Sequence, residues 1–241
     1  MSAPTPKYRH ELKYLVSAAQ IPLLKSRIAH LMQRDAHAGA DGIYTIRSLY
    51  FDDYSNRCFF ENENGIDPRE KYRIRIYNHA SDRIMLECKR KEHGKTHKTS
   101  CRLTREQTEQ LMQGQPLPLT EDLPPLLRKF TLQMHTRRMR PVVIVEYERI
   151  PFVYKSGNVR VTFDTQISSS TNISDFFAEE LPKRPVMPAG QHLMEVKFDE
   201  YLPDFLYRNL NLGHLQQTAF SKYYLCRKYT LYRQEANHVI L

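Results

Sequence analysis

From Lys71 to Tyr77 the chain alternates almost strictly, with Lys71, Arg73 and Arg75 at every second position and Tyr72, Ile74 and Ile76 between them. Successive side chains of a strand point to opposite faces, so this is a strand with one cationic and one apolar face. The habit recurs. Arg9, Glu11 and Lys13 alternate with Leu12, Tyr14 and Val16, and Glu87, Lys89 and Lys91 stand opposite Leu86 and Cys88. Arg160, Thr162 and Asp164, then Glu195 and Lys197, continue it, and the same reading assigns Glu146 and Glu148 to the charged face. That phase puts Arg149 on the opposite face, and only a bulge would turn it inward.

Two architectures produce this alternation. An open sheet with one solvated face pairs its charges across strands. A sheet curled shut with the charged faces inward encloses a wet, ionic lumen, because burying unpaired charge costs several kcal/mol per ion. Such a lumen would hold an anion: guanidinium forks match phosphate oxygens at two points, lysines add point charge, and carboxylates are oxygen ligands for a divalent metal. Periodicity leaves both open.

The remaining elements fit an α+β chain. A strand ends near Val16, and Ser17 caps a helical stretch in which Ile21, Leu24, Ile28, Leu31 and Met32 recur at helical spacing. Tyr44–Asp52 and Arg57–Asn62 are predicted strands joined by a turn at Asp53-Tyr54-Ser55-Asn56. Arg83–Lys91 and Thr96–Leu103 form a hairpin around Gly94, Thr104 and Gln107 open a helix as a capping pair, and Leu123–Arg138 is a second helix. Pro141–Tyr154, Asn158–Gln166 and Leu193–Asp199 are β-prone, Ser168–Gly190 is a long loop, a helix follows Pro203 up to Gly213, and Ser221–Tyr232 is basic and aromatic. About eight or nine strands, mostly antiparallel and flanked by helices, could close into a barrel. One domain over residues 1–241 is the expectation.

The formal net charge of +9 over 241 residues calls for a polyanionic partner. Cys58, Cys88, Cys101 and Cys226 contain no CxxC pair, so neither a zinc site nor a disulfide framework is indicated. His93 and His97 are four apart, but Gly94 denies them a shared helical face, and solvated turn histidines are the better reading. No GxxxxGK[ST] or GxGxxG occurs, so nucleotide would be bound by side chains. No run reaches the roughly 18 apolar residues of a membrane span, and Met1–Pro6 is too short for a signal peptide, so a cytoplasmic protein is expected.

Six segments in order resemble one family: Arg9-His10-Glu11-Leu12-Lys13-Tyr14, Ile46-Arg47-Ser48-Leu49-Tyr50-Phe51-Asp52, Lys71-Tyr72-Arg73-Ile74-Arg75, Leu86-Glu87-Cys88-Lys89, Glu195-Val196-Lys197-Phe198 and Ser221-Lys222-Tyr223. They look like the VTC domain (vacuolar transporter chaperone) of the CYTH-like triphosphate tunnel metalloenzymes. The resemblance implies a closed antiparallel barrel, the triphosphate tunnel. It also implies polyphosphate polymerase activity, in which the γ-phosphoryl group of ATP joins a growing polyphosphate chain with Mn²⁺ or Mg²⁺. It implies phosphate or nucleotide binding by Lys13, Arg73, Arg75, Lys89, Lys98, Arg160 and Lys222, with Arg149 of Tyr147-Glu148-Arg149 as a further candidate.

Glu195 would hold the metal, with Glu11 as a second ligand, and Glu195 and Lys222 would be the catalytic pair. The partners would be ATP and polyphosphate or orthophosphate, with no nucleic acid and any membrane partner a separate subunit. The superfamily's Glu-x-Glu-x-Lys reads Arg9-His10-Glu11-Leu12-Lys13 here, which weakens a hydrolase reading. A tunnel triphosphatase and a non-catalytic polyphosphate-binding module are the alternatives.

Overall fold

The computed structural model describes residues 8–35, 38–39 and 41–238, the side chains of the last seven aside; the side chain of Tyr232, the end of the basic, aromatic stretch above, lies outside this description. In chain order the elements are β1 (His10–Ser17), α1 (Gln20–Ile28), β2 (Gln33–Arg34), β3 (Tyr44–Asp52), α2 (Arg57–Glu63), β4 (Arg69–Tyr77), β5 (Ala80–Glu92) and β6 (Lys95–Leu103). There follow α3 (Arg105–Met112), α4 (Pro125–Arg137), β7 (Arg140–Tyr154), β8 (Val159–Ser170), β9 (Arg184–Pro185), β10 (Gln191–Phe198), α5 (Asp204–Asn209) and α6 (Lys222–His238).

Every strand pair is antiparallel, in the order β1-β10-β8-β7-β3-β4-β5-β6, with β2 beside β7 and β9 beside β8. Local chemistry sets the tight connections. Asn78 and His79 between β4 and β5, and His93 and Gly94 between β5 and β6, all take positive φ, the two-residue turn whose twist suits a hairpin. At α1, Ser17 and Gln20 exchange hydrogen bonds of 2.7 and 3.2 Å that satisfy the first turn.

The right-handed twist of strands curls a sheet of this length until its edges meet. Arg9 and Thr96 exchange two backbone hydrogen bonds of 3.0 Å, joining the first strand's leading end to β6. Farther along β1, residues 216–218 take the free edge: the Leu15 amide donates to the Gln216 carbonyl and the Thr218 amide to the Lys13 carbonyl. The barrel wall is thus completed by the approach to α6.

Apolar residues pack on both sides. Outside, Leu49, Ile74, Leu86 and Phe51 pack with Leu111 and Phe130 of α3 and α4, and Tyr14, Phe163 and Val196 pack with Leu24, Ile28 and Leu206 of α1 and α5. Inside the curled sheet, Ile46, Val143, Val145 and Leu193 meet Tyr223 and Cys226, so α6 enters one end of the lumen. At about 25 cal/mol per Å² of apolar surface, such layers on two faces carry the fold.

Three expectations change. Arg57–Asn62 is helix α2, not a strand. Asp52 accepts from the amides of Cys58 at 2.8 Å and Phe59 at 3.1 Å, Asp53 accepts from Arg57 at 3.0 Å, and Arg57 pairs with Glu61 one turn on. The stretch after Ser168 is not one loop: β8 runs to Ser170, a 3₁₀ turn spans Ile173–Phe177 and β9 follows. The basic, aromatic tail is α6.

Candidate functional site

The lumen is a cavity of about 1200 Å³. Among the described residues, fourteen lysines and arginines line it against three carboxylates, which locates the chain's excess positive charge inside the barrel. All ten residues singled out by resemblance border it: Glu11 and Lys13 of β1, Arg73 and Arg75 of β4, Lys89 of β5, Lys98 of β6, Arg149 of β7, Arg160 of β8, Glu195 of β10 and Lys222 at the start of α6.

Three acidic anchors organise these cations. Glu87, 2% exposed, accepts from Arg73 at 2.7 Å and Lys98 at 2.8 Å, with Arg75 at 3.7 Å. Burial pushes its pKa up, but Arg75, Arg73 and Lys98 outweigh burial and hold the carboxyl well below the usual range. Arg73 also donates to the Tyr50 hydroxyl at 2.8 Å, and Arg75 reaches Ser48 at 3.3 Å. Tyr50 is itself acidified, Arg73 and Arg75 overcoming the effect of burial.

Asp164, fully buried, takes Arg149 in a two-point contact of 2.7 Å per bond and Lys222 at 2.6 Å. Glu195 takes Lys197 at 2.8 Å, Lys222 at 2.9 Å and Arg149 at 3.4 Å. Burial alone would raise the Glu195 pKa, yet Lys197, Lys222, Lys13 and Arg149 together hold it well below a normal carboxyl. Conversely, burial disfavours the Lys222 ammonium, but Asp164 and Glu195 raise its pKa above that of a free lysine. The Tyr147 ring lies under both Lys222 (4.8 Å to its centroid) and Arg149 (5.2 Å).

Glu11 pairs with Lys89 at 2.6 Å and Lys197 at 3.7 Å. Lys13 donates to the Phe220 carbonyl at 2.6 Å, and burial together with Lys89 draws its pKa down to about 8. Arg160 pairs with Asp35, the Arg160 Nε having no hydrogen-bond partner among the described residues, and Arg9 pairs with Asp199 at 3.2 Å.

The phase of β7 is the reverse of the one that alternation predicts. Arg149 pairs with Asp164 and Tyr44 across the sheet and points inward, with Val143, Val145 and Tyr147. Glu146 and Glu148 lie on the outer face. At Glu146 the outer face is covered, not solvated: Glu146 is 3% exposed and pairs with Arg47, 1% exposed, and with Lys183, whereas Glu148 is exposed. Arg47 also donates to the carbonyls of Phe176 at 3.1 Å and of Ala178, tying the 3₁₀ segment over the pair. The strand needs no bulge to turn Arg149 inward. The register shift near it, between Glu146 and Glu148, is taken up in β8, where Gln166 has positive φ.

Lys71 borders the lumen and Asp164, on the inward side of β8, is buried behind Arg149 and Lys222, as alternation indicated, but resemblance gave neither a role. His93 is exposed at its turn, and His97 lies at the lumen wall 5.4 Å from the Tyr8 ring.

Among the described residues, no three His, Cys, Asp or Glu side chains are grouped to hold a metal ion. Glu11 and Glu195 face the lumen from neighbouring strands and are bridged by Lys197. Two carboxylates fit a hard divalent ion that completes its shell with substrate oxygens and water, as Mg²⁺ sites in phosphoryl transfer commonly do. They do not fit a preformed protein cage.

A closed barrel whose lumen is organised in this way belongs to the class of triphosphate-tunnel proteins. A model of the VTC domain matches residues 8–231, and the chain belongs to that family. No curated protein matches the chain. Among solved structures, a candidate adenylate cyclase from Bacillus halodurans is similar at a TM-score of 0.50 and 14% identity, over 88% of this chain and 95% of that one. A candidate adenylyl cyclase from Hippeastrum with a dominant triphosphatase activity is similar at a TM-score of 0.51 and 10% identity, over 92% and 95%. At such identities the likeness is one of fold. Among the described residues, no helix is long and apolar enough to cross a membrane.

Proposed function

We propose that this protein is a polyphosphate polymerase that transfers the γ-phosphoryl group of ATP to a polyphosphate chain or to orthophosphate inside the tunnel, acting as one domain over residues 1–241. The observation that carries the reading is the enclosed row of cations in a chain of the VTC domain family. Phosphoryl transfer asks a protein mainly for positioning and charge neutralisation, since charge spreads over the transferring oxygens. Arg73, Arg75 and Lys98, preset on Glu87, would grip the triphosphate together with Lys89 and Lys13. Arg149 and Lys222, preset on Asp164 and Glu195, would meet the reacting end, and Arg160 would guide phosphates at the wall.

Glu195, with Glu11, would hold Mn²⁺ or Mg²⁺, which supplies Lewis-acid neutralisation of phosphate oxygens when bound. The protein's own contribution is to keep both carboxylates ionised and the cations fixed before substrate arrives.

The second reading is hydrolysis of the triphosphate, the activity named for the Hippeastrum protein. A hydrolase must hold and activate a water, which several clustered carboxylates do best. Here Arg9 replaces the superfamily's first glutamate and Lys197 bridges the two acids that remain. That favours transfer to phosphate.

The test is incubation with ATP, Mn²⁺ and a short polyphosphate primer, following ADP and acid-labile polymer. Polymer and ADP in step are expected. ADP and orthophosphate without polymer would replace the polymerase reading with the hydrolase one, and binding without turnover would leave a polyphosphate-binding module.

A further inference from the structure

Most cations lining the lumen are already paired with a carboxylate, and Lys71 is a conspicuous exception. Its Nζ donates to Asn62 Oδ1 of α2 and to Ser221 Oγ at 3.1 Å, and stands 5.2 Å from the centre of the Tyr223 ring. Among the described residues no carboxylate lies within ion-pair distance of it. Its surroundings are cationic: burial, then Arg69, Lys89 and Lys13, all disfavour its charge. A cation held among cations by an amide oxygen and a hydroxyl lacks the counter-charge that Glu87, Asp164, Glu195 and Glu11 provide elsewhere.

Position gives this deficit a meaning. Arg75, Arg73, Lys71 and Arg69 occupy successive inward positions of β4 and all border the lumen. Two residues of strand advance about 7 Å, so Lys71 is one step along the wall from Arg73. Lys13 donates to Phe220, Lys71 to Ser221, and Lys222 follows, so three lysines converge on residues 220–222. A serine hydroxyl and an amide beside an ammonium are groups that complete the oxygen shell of a phosphate.

We propose that Lys71, Asn62 and Ser221 form the subsite for the acceptor phosphate, next to the triphosphate that the Arg73, Arg75 and Lys98 cluster would grip. The inference rests on the polymerase reading and adds where the second substrate sits. The ligand is a phosphate with an ionised oxygen, either free orthophosphate or the end of a chain. That oxygen bonds to the γ-phosphorus as the bond from the γ-phosphorus to the β–γ bridging oxygen breaks. ADP leaves with the electron pair, and because the attacking oxygen is already ionised, no proton needs a base.

The test compares wild type with Lys71→Met, which removes charge while keeping length over Tyr223, and with Lys71→Arg. ADP release is measured against orthophosphate and, separately, pyrophosphate at saturating ATP and Mn²⁺. Lys71→Met should raise the acceptor KM about tenfold while the ATP KM moves less than twofold, and Lys71→Arg should recover part of the loss. A rise for both acceptors assigns the subsite to chain ends, and a rise for orthophosphate alone assigns it to the free ion. An equal rise in the ATP KM, or no rise in either, overturns the proposal.

A second readout keeps the subsite separate from the activity. Orthophosphate and, separately, pyrophosphate are titrated calorimetrically into protein saturated with a non-hydrolysable ATP analogue and Mn²⁺. Wild type should bind at least one of them more tightly than Lys71→Met does, by fivefold or more, and equal affinity for both would overturn the subsite even for an active polymerase. If wild type makes no polymer yet shows this difference, the polymerase reading fails and the phosphate subsite stands.

Discussion

Replacing Asp164 by asparagine tests whether the lumen is a set of cations preset for an anion. Asp164 is fully buried and its two oxygens are taken by Arg149 and Lys222. Asparagine keeps the shape but removes the charge, and turns an amide N–H₂ toward groups that can only donate. Removing one partner of a buried ion pair costs about 3–5 kcal/mol, because the other charge is left uncompensated. For a chain of this size each kcal/mol is worth about 2–4 °C, so Asp164→Asn should melt roughly 6–20 °C below wild type without ligand.

Tripolyphosphate should raise both melting temperatures, since a ligand at a hundred times its Kd adds about 2.7 kcal/mol. The variant should gain more, because the phosphate restores a counter-charge to Arg149 and Lys222. Differential scanning calorimetry with and without tripolyphosphate reads both effects. A variant that melts within about 2 °C of wild type, or a gap that tripolyphosphate leaves unchanged, would refute the argument; the first sets the cost under ~1 kcal/mol.

Three further outcomes are expected. Lys13, facing Lys89, Lys222, Glu195 and Glu11, has a folded pKa of about 8 against an ordinary value of 10.5. The unfolded chain therefore binds more protons between these values, so the free protein should gain stability as pH rises through this window, while tripolyphosphate affinity falls. Calorimetry should show both trends flattened in Lys13→Arg, and an unchanged profile would remove Lys13 from the phosphate path. Glu195→Gln should lower Mn²⁺-dependent ADP release roughly 100-fold, the scale on which removal of a transition-state charge partner is felt; wild-type turnover would take Glu195 out of the site. On the outer face, urea unfolding should show Glu146→Gln destabilised by about 3 kcal/mol and Glu148→Ala, which is exposed, by under ~0.5 kcal/mol, with neither altering the ATP KM.

The lumen was legible in the sequence wherever one strand face is charged and the other apolar. β4 and β5 show this plainly, since Tyr72, Ile74, Leu86 and Cys88 pack against α3 and α4 while Arg73, Arg75, Glu87 and Lys89 face inward. β7 hid its phase because both of its faces are covered from Val142 to Tyr147. Val143 and Val145 look into an apolar part of the lumen, and the outward Glu146 is kept by Arg47 from the neighbouring strand, a pairing that no local pattern announces.

The sequence of helix α2 resembles a strand because Phe59 and Phe60 favour sheets. What overrides them is Asp52, which caps the helix and also accepts from Tyr223 of α6, far away in the chain. A signal was nonetheless present: Asp53 four residues before Arg57, and Arg57 four before Glu61, are helix-start and helix-face spacings. The role of α6 could not be read locally, because Lys222 acquires its place only when Tyr223 docks on Asp52 and Arg227 on Asn56. Asp164 lacked a role for the same reason: its partners Arg149 and Lys222 come from β7 and α6.

The central claim is that linked phosphates occupy the barrel's interior, and a crystal structure grown with a non-hydrolysable ATP analogue, Mn²⁺ and tripolyphosphate tests it most directly. The expected result is phosphate density in the lumen within hydrogen-bond distance of Arg73, Arg75 and Lys222, with the ion on Glu195. An empty lumen with phosphates bound only on the outer surface would contradict the account.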